Sequence, residues 1–426
     1  MRKIILIFTM AALFCLGCTG CDRTPPEVSG IKDVVTIDCK TKYNIETYLN
    51  NYLKITDETG DGIIEYKLEE LEHAISFSDE NIYNVHTGEI DTSKPGEYNV
   101  SVLLKDKSNN KSEFNFTLVL VPLKMESTTE DVIEMNCGTE FNVLDYLNEN
   151  VEITNQAGDV EYRLDDFDYT IDCDDTVYNL NTGDFNTSKF GKFPVKLEIN
   201  STSIENNTIL LTVALNPLEI QKGYYVYESS LSSSGYEYLG FCEYKNISSE
   251  NLTVKSIKFQ YYDKDGVIVG SSDMPSYSLE YVKSEASGYA LDIFSSCISM
   301  ISSADEIVRV DIIIDYGKAT GADKTSLDVG DVEITNSCEY NMSGFAGTVV
   351  IHNQYDKDVE SYYMLAGMYN ADGSLVGVMD SMASEGIAAG AKARCTAFWL
   401  PDSRDIPDQV TSVKASARVA SFSGEY

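Results

Sequence analysis

The sequence predicts an all-β protein, a tandem array of four antiparallel β-sandwich modules behind a cleaved leader. A phrase of twelve residues occurs twice, at 87–98 and 182–193. Apolar and polar residues alternate after each copy, as in strands with one buried face. The C-terminal half contains a second, more diverged pair of segments. Similarity at the spacing of a small domain indicates an array of modules rather than one large fold.

The predicted domain boundaries follow these repeats. At 426 residues the chain is long enough for several domains of ordinary size, each with its own core. We name the four modules the first to fourth repeats. The leader and attachment region take 1–20, and the repeats take 27–122, 123–218, 222–325 and 326–426.

The first residues have the pattern of a signal peptide. Arg2 and Lys3 precede an apolar run, Ile4–Leu16, which is shorter than the about 20 residues that span a bilayer as a helix. Small residues then precede two cysteines, and here the leader resembles those of bacterial lipoproteins. The resemblance implies that Cys18 or Cys21 is lipidated and anchors the protein in the bilayer, at the extracellular face of the cell membrane. Plain secretion after cleavage is the alternative.

The charge balance is strongly acidic. The chain has 68 Asp and Glu residues against 32 Lys and Arg, a formal net charge of −36. Such a surface repels polyanions, which makes nucleic acid a poor candidate partner. The hydrophobic fraction of 43% is ordinary for a globular protein, so bulk disorder is not expected.

The first two repeats each predict a short helix followed by a β-hairpin. Asn44 can cap a helical turn carrying Ile45, Tyr48 and Leu49, and Asn142 stands before a matching turn in the second repeat. Alternating apolar residues then predict both hairpin strands. These residues are Tyr98, Val100, Val102, Leu104, Phe114, Phe116, Leu118 and Leu120, and in the second repeat Phe193, Val195, Leu197, Ile199, Ile209, Leu211, Val213 and Leu215.

The run Asp91–Tyr98 resembles a motif of bacterial immunoglobulin-like domains, which occur in tandem on cell-surface proteins. In the second copy Phe190 replaces Pro95 and Phe193 replaces Tyr98. The resemblance covers close to half of the chain, and it implies that both repeats are small antiparallel β-sandwiches.

The third and fourth repeats form the diverged pair. The segment 240–246 aligns with 347–353, and a tight turn ending in Gly266 or Gly373 follows each at the same distance. Within the third repeat, Phe259–Asp263 resembles the motif of the FxLYD domain, a bacterial β-sandwich module, with Tyr261 in place of Leu. The fourth repeat has a looser version at 366–370. The family implies a fold and an extracellular context, and no catalytic residue.

One loop of the first repeat begins like a calcium-binding loop. Asp57, Thr59 and Asp61 supply oxygen ligands at alternate positions before Gly62. The acid that should close the loop fails, because Leu68 stands at the twelfth position and Glu69 comes one residue late. A polar connection between strands is therefore the favoured interpretation.

Seven cysteines follow the leader, and their spacing permits three disulfides. Cys39 would then have no partner. Bridges are compatible with an extracellular location, and reduced thiols with an anaerobic one. The candidate pairs are Cys242 with Cys297, Cys338 with Cys395, and Cys137 with Cys173.

The sequence offers no recognisable catalytic motif. It lacks a nucleophile elbow, a zinc protease motif and a phosphate loop, and it predicts no cofactor. The 28 tyrosines suit contact surfaces with a polar rim, although core packing is the more common use, and Trp399 is expected in a core. We therefore expect a non-enzymatic surface stalk for adhesion, which binds a surface protein or glycan. An extracellular glycan hydrolase, or an accessory module of one, is the alternative.

Overall fold

The computed structural model describes most of the chain and is an all-β protein, which confirms the predicted fold class. Thirty strands and two short α-helices occur in the described residues. None of the helices in this part of the chain has the length and hydropathy to cross a membrane. The described residues are 23–59, 62–128, 130–158, 160–228, 236–294, 307–335, 345–381, 386–399, 401 and 410–424.

The chain divides into two compact units. The first unit contains residues 1–130, 145–172 and 196–210, and therefore holds the whole first repeat. The second unit contains residues 131–144, 173–195 and 211–426, and therefore holds the third and fourth repeats.

The first repeat consists of two sheets and one helix around its own core. One sheet has the strand order β1-β3-β4 and the other β2-β7-β6-β5. The alternating residues of the predicted hairpin are buried between them, except Phe114, which is partly buried. The elements are β1 (Glu27–Ser29), β2 (Val34–Asp38), α1 (Ile45–Tyr52), β3 (Lys54–Thr59), β4 (Gly62–Tyr66), β5 (Glu72–Phe77), β6 (Gly96–Lys105) and β7 (Lys111–Val121).

Helix α1 begins where the sequence predicts. The Asn44 side chain accepts a hydrogen bond from the Thr47 backbone N–H at 2.9 Å, which caps the first turn. Ile45 and Leu49 are fully buried on the helix face toward the core. The third residue predicted for that face, Tyr48, is only partly buried and lies at its edge.

The repeated phrase folds into a turn held by its own side chains. In the first repeat the Asp91 carboxylate accepts hydrogen bonds from the N–H and the hydroxyl of Ser93, at 3.1 and 2.6 Å. In the second repeat Asn186 accepts the same two bonds from Ser188. Tyr98 then donates its hydroxyl to the Lys94 carbonyl at 3.0 Å. The phrase recurs because each repeat needs this turn before its longest strands.

The second repeat follows the same order of elements. Within the first unit β10 pairs with β8 and β11, and within the second unit β9 pairs with β15. The elements are β8 (Leu123–Ser127), β9 (Val132–Asn136), α2 (Val143–Asn150), β10 (Val151–Thr154), β11 (Val160–Tyr162), β12 (Tyr169–Asp172), β13 (Gly191–Ile199), β14 (Ile204–Glu205) and β15 (Thr208–Asn216).

The sheets are mainly antiparallel, as predicted, and the first two repeats also contain parallel strand pairs. Strand β2 pairs parallel to β7, and β9 pairs parallel to β15. In each case the strand that enters the repeat lies beside the strand that leaves it, so both run in the same direction. The hairpin pattern of the sequence covers only strands that are adjacent along the chain, and this pairing joins strands far apart.

The third repeat is built from two four-stranded sheets. One has the order β16-β17-β22-β20, and the other contains β18, β19, β21 and β23. The predicted turn after Tyr262 is present, because the Asp263 N–H donates to the Val267 carbonyl at 3.0 Å. The strands are β16 (Leu218–Glu228), β17 (Tyr236–Asn246), β18 (Leu252–Tyr262), β19 (Ile268–Ser272), β20 (Ser276–Tyr277), β21 (Tyr281–Val282), β22 (Ser287–Phe294) and β23 (Arg309–Lys318).

The fourth repeat is a single seven-stranded sheet that closes on itself. Strand β24 pairs with β30 through its first half and with β26 through its second half, which links six strands in a ring. The strands are β24 (Ser326–Val329), β25 (Glu333–Thr335), β26 (Ala346–His352), β27 (Val359–Tyr369), β28 (Leu375–Ser381), β29 (Lys392–Phe398) and β30 (Ser412–Phe422).

The third repeat has a core of its own and also contributes to the hydrophobic core of the fourth repeat, a contact that the sequence prediction of separate interiors did not include. Leu239 and Phe241 of β17 and Leu291 of β22 lie in the same buried cluster as the fourth repeat. The opposite face of β17 carries Tyr238 and Tyr244, which lie in the core of the third repeat. The central sheet is therefore buried on both faces.

Phe190 and Trp399 also hold repeats together within the second unit. The ring of Phe190 packs edge-on against Tyr316 of the third repeat at 6.0 Å. Phenylalanine in place of Pro95 thus provides a contact with the next repeat. Trp399 is 3% exposed and packs edge-on against Tyr225 of β16 at 5.4 Å, which confirms it as a core residue.

Candidate functional site

The first unit carries an open groove next to helix α1. Its volume is about 720 Å³. One side is formed by residues 40–44, which lead into the helix, and the other by residues 89–93, which belong to the repeated phrase. Tyr162 of the second repeat completes the lining. The turn that the phrase forms thus also shapes one wall of this groove.

Three tyrosines, which we call the tyrosine ladder, extend from this groove along the helix. Tyr43 lines the groove, and its ring centroid lies 5.8 Å from that of Tyr48. Tyr52 follows one turn later, 5.0 Å from Tyr48. Residues four apart are neighbours on a helix surface, which places the rings of Tyr48 and Tyr52 side by side.

The ladder rests on the core at one end and is open to solvent at the other. Tyr43 and Tyr48 pack against the core of the first repeat, whereas Tyr52 is 58% exposed. The hydroxyl of Tyr43 is buried and has no hydrogen-bond partner among the described residues. Burial raises the pKa of Tyr43 and Tyr48, so both hydroxyls remain protonated donors at neutral pH.

Two of the four charged residues that line the groove, Lys40 and Asp91, make structural contacts. Lys40 donates to the carbonyl of Asp166 at 3.1 Å and lies 3.8 Å above the ring of Phe167. Hydrogen bonds from Ser93 lower the pKa of Asp91, so this carboxylate stays ionised and tied to its own turn. The other two, Lys42 and Glu89, are exposed, so a ligand can contact them as well as the aromatic and amide groups.

The predicted lipidation sites, Cys18 and Cys21, lie outside the described residues, as do Cys297 and Cys338. Cys242 and Cys395, their proposed disulfide partners, are buried free thiols. Burial raises the pKa of the Cys242 thiol to about 12.

The third predicted disulfide is not formed. Cys137 is a buried thiol that donates to the carbonyl of Lys189 at 3.4 Å, and it is not bridged to Cys173. Cys39 is buried at the matching position of the first repeat, and burial raises the pKa of both thiols to about 11. The two cysteines are repeated core residues, which spacing alone did not distinguish from one half of a bridge.

Two of the three predicted calcium ligands lie in strand β3. Asp57 is a buried residue of β3, Thr59 is the last residue of that strand, and Asp61 lies outside the described residues. Strand β4 begins at Gly62 and pairs with β3. Within the described ranges no three His, Cys, Asp or Glu residues are grouped as metal ligands. The metal site stays a prediction.

The sequence prediction missed the tyrosine ladder. It assigned Tyr48 to the buried helix face and did not single out Tyr43 or Tyr52. The spacing of Tyr48 and Tyr52 was the available signal, together with the difference between α1 and α2 at exposed positions. Neither signal shows that the three rings are neighbours and that the first of them lines the groove.

Comparisons with known proteins identify no family. No family model matches the sequence, and no curated protein sequence matches it either. Among solved structures, the chain is similar to domains 4–9 of the surface layer protein SbsC, with 12% identity and a TM-score of 0.27 over 94% of this chain and 67% of that one.

Two further similarities are to carbohydrate-associated proteins. One is to the CBM51-2 and INT domains of Clostridium perfringens ZmpB, solved with GlcNAc, at 12% identity and a TM-score of 0.16, covering 68% of this chain and 44% of that one. The other is to SGBP-B of a Bacteroides ovatus glucan utilization locus, at 7% identity and a TM-score of 0.15, covering 93% of this chain and 98% of that one. Such TM-scores describe a general likeness among multi-domain proteins and assign no activity.

Proposed function

We propose that this chain is a lipid-anchored protein of the bacterial cell surface that binds an external ligand through the groove and the tyrosine ladder. The observation that carries the proposal is a row of three aromatic rings beside an open groove, which runs from half-buried Tyr43 and Tyr48 to exposed Tyr52. Aromatic rings with a polar tip are the side chains that contribute most to contact surfaces.

The leader and the all-β modules support the location. A signal peptide followed by Cys18 or Cys21 provides export and an acyl anchor, and two acyl chains hold a protein stably at a bilayer. The strongly acidic surface keeps the protein soluble among other polymers outside the cell. Adhesion or envelope organisation is the role that such an anchored binding protein serves.

We also propose that the protein binds without catalysis. A catalytic site requires a nucleophile, base or acid within hydrogen-bond distance of its partners in a concave site. The groove instead presents Lys40 and Asp91 in contacts that stabilise its walls. Its other charged side chains, Lys42 and Glu89, are exposed, whereas catalytic groups are usually shielded from water.

Anchoring predicts a covalent lipid on one cysteine. We expect the full chain, expressed in a bacterium with a lipoprotein pathway, to fractionate with membranes and to incorporate labelled palmitate. If Cys18 carries the lipid, Cys18→Ser should release the protein to the medium and Cys21→Ser should have no effect. If Cys21 carries it, the two results should be exchanged. Mass spectrometry of the N-terminal peptide provides the identification. Secretion of the wild-type protein into the medium without palmitate would contradict the proposed anchor.

The proposed binding function predicts that immobilised ligands of one class retain the protein. We expect the mature chain without lipid to be retained on an array of glycans and cell-surface proteins, and Tyr43→Ala to reduce that retention at least tenfold. Because Tyr43 packs on the core, thermal unfolding of the variant must be measured alongside. Lys107→Ala, a change on another face of the first repeat, is the matched control. Turnover of a glycan without retention would favour a hydrolase instead.

A further inference from the structure

Helices α1 and α2 of the first and second repeats carry similar residues at their buried positions and different residues at several others. Their buried positions carry similar residues, Ile45 and Leu49 in α1 and Val143 and Leu147 in α2. At four other positions the residues differ in charge or aromatic character: Glu46, Thr47, Asn51 and Tyr52 in α1 stand where α2 has Leu144, Asp145, Glu149 and Asn150. The helix is thus a shared structural element whose outer face is specific to the first repeat.

Apart from Glu46 in its first turn, α1 is uncharged in a chain where 23% of residues are charged. From residue 47 to residue 53 there is no Asp, Glu, Lys, Arg or His. Thr47, Asn51 and Tyr52 are exposed there, and Tyr48 is half-buried between them. Around Tyr48 and Tyr52 this part of α1 therefore offers hydroxyl and amide groups without an ionic group among them, whereas Tyr43 adjoins the charged lining of the groove.

This combination selects for a ligand that has both flat C–H faces and many hydroxyl groups. The face of a tyrosine ring is apolar and stacks on such C–H groups, while amides and hydroxyls exchange hydrogen bonds with ligand hydroxyls. A ligand with ionic groups would lose hydration on this surface and gain no opposite charge, which costs affinity. A polyanion would in addition be repelled by the net charge of −36.

We propose that the tyrosine ladder and the adjacent residues Thr47 and Asn51 bind a neutral polysaccharide chain. This inference rests on the proposed function and names the ligand class of that site. The chain lies along the ladder from the groove at Tyr43 to the exposed ring of Tyr52. A second copy of this protein is a poorer occupant of the same face, because two strongly acidic surfaces repel each other.

The test uses the mature chain without lipid and titrates it with polysaccharides of defined charge. We expect binding to neutral linear chains, with β-glucan, mannan and chitin oligosaccharides as the probes, and at least tenfold weaker binding to alginate and polygalacturonate. Tyr52→Ala should reduce the affinity for the neutral probe at least tenfold. Tyr52 is largely exposed, so this substitution leaves the fold intact.

Two variants use the second repeat as an internal reference. The triple substitution Thr47→Asp, Asn51→Glu, Tyr52→Asn gives α1 three of the differing residues of α2, which a folded helix of this protein already carries. We expect it to remove binding without changing the thermal unfolding temperature. Tyr146→Ala, at the position of α2 that matches Tyr48, should leave the affinity unchanged.

Three results would overturn the inference. One is a folded protein that binds no neutral polysaccharide, and another is unchanged binding by Tyr52→Ala and by the triple variant. The third is selective binding of an acidic glycan or of a protein. That last result would refute the neutral polysaccharide as ligand but not the proposed surface-binding function. Absence of binding to every ligand class would refute both.

Discussion

Replacing Phe241 with alanine is expected to lower the free energy of unfolding by about 3–5 kcal/mol and to destabilise the third and fourth repeats together. Phe241 is 3% exposed and lies in the core that the two repeats share. Its ring fits over Gly223 of β16, where a Cβ atom would come within 2.7 Å of it. The substitution leaves a cavity at the centre of this contact.

The single tryptophan of the chain makes the effect measurable across the two repeats. Trp399 belongs to the fourth repeat, and its fluorescence during denaturation should report the loss caused by Phe241→Ala in the third. Ile293→Ala is the matched control, because Ile293 lies on neighbouring β22 and is 44% exposed. We expect it to cost less than about 1 kcal/mol. A tryptophan transition that does not move in Phe241→Ala would show that the repeats unfold independently.

Replacing Asn246 with alanine is expected to cost about 3 kcal/mol, although it removes only an amide. Asn246 is fully buried at the end of β17. Its amide donates to the carbonyls of Glu250 and Val282 at 2.8 and 3.1 Å, and its oxygen accepts from the N–H and hydroxyl of Ser248. Alanine leaves these buried backbone groups without partners.

The fourth repeat provides a second instance of the same arrangement. Asn353 is fully buried at the matching position, and it donates to the carbonyls of Lys357 and Ile387, both at 2.9 Å. Asn353→Ala should therefore cost a similar amount in denaturant titrations. Asn251→Ala, which removes an exposed amide bonded to the Tyr281 hydroxyl, should cost less than about 1 kcal/mol. Equal effects of the buried and exposed substitutions would contradict the role given to the buried amides.

The sequence predicted the local elements well because each depends on neighbouring residues. The alternation in β6 predicts one buried face, and Val100, Val102 and Leu104 are fully buried. The cap at Asn44 predicts the start of α1. Both signals lie within a few residues of the element that they define.

One strand of the sequence carries a signal of the core to which the third and fourth repeats both contribute. The sequence prediction did not use that signal. Strand β17 has apolar residues at both odd and even positions, including Tyr238, Leu239 and Phe241, which is the pattern of a strand buried on both faces. Sequence periodicity cannot say which segment covers the second face. That partner lies about a hundred residues further along the chain, and only the folded structure identifies it.

The first described strand begins close to the proposed anchor in the sequence. This limits how far the start of the first repeat can lie from the membrane. Strand β1 starts at Glu27, six residues after Cys21. Six residues span at most about 20 Å when fully extended. If Cys21 carries the proposed anchor, the first repeat therefore begins within about 20 Å of the bilayer surface. A sugar chain held by Tyr52 would then be one that lies near the membrane or has diffused to it.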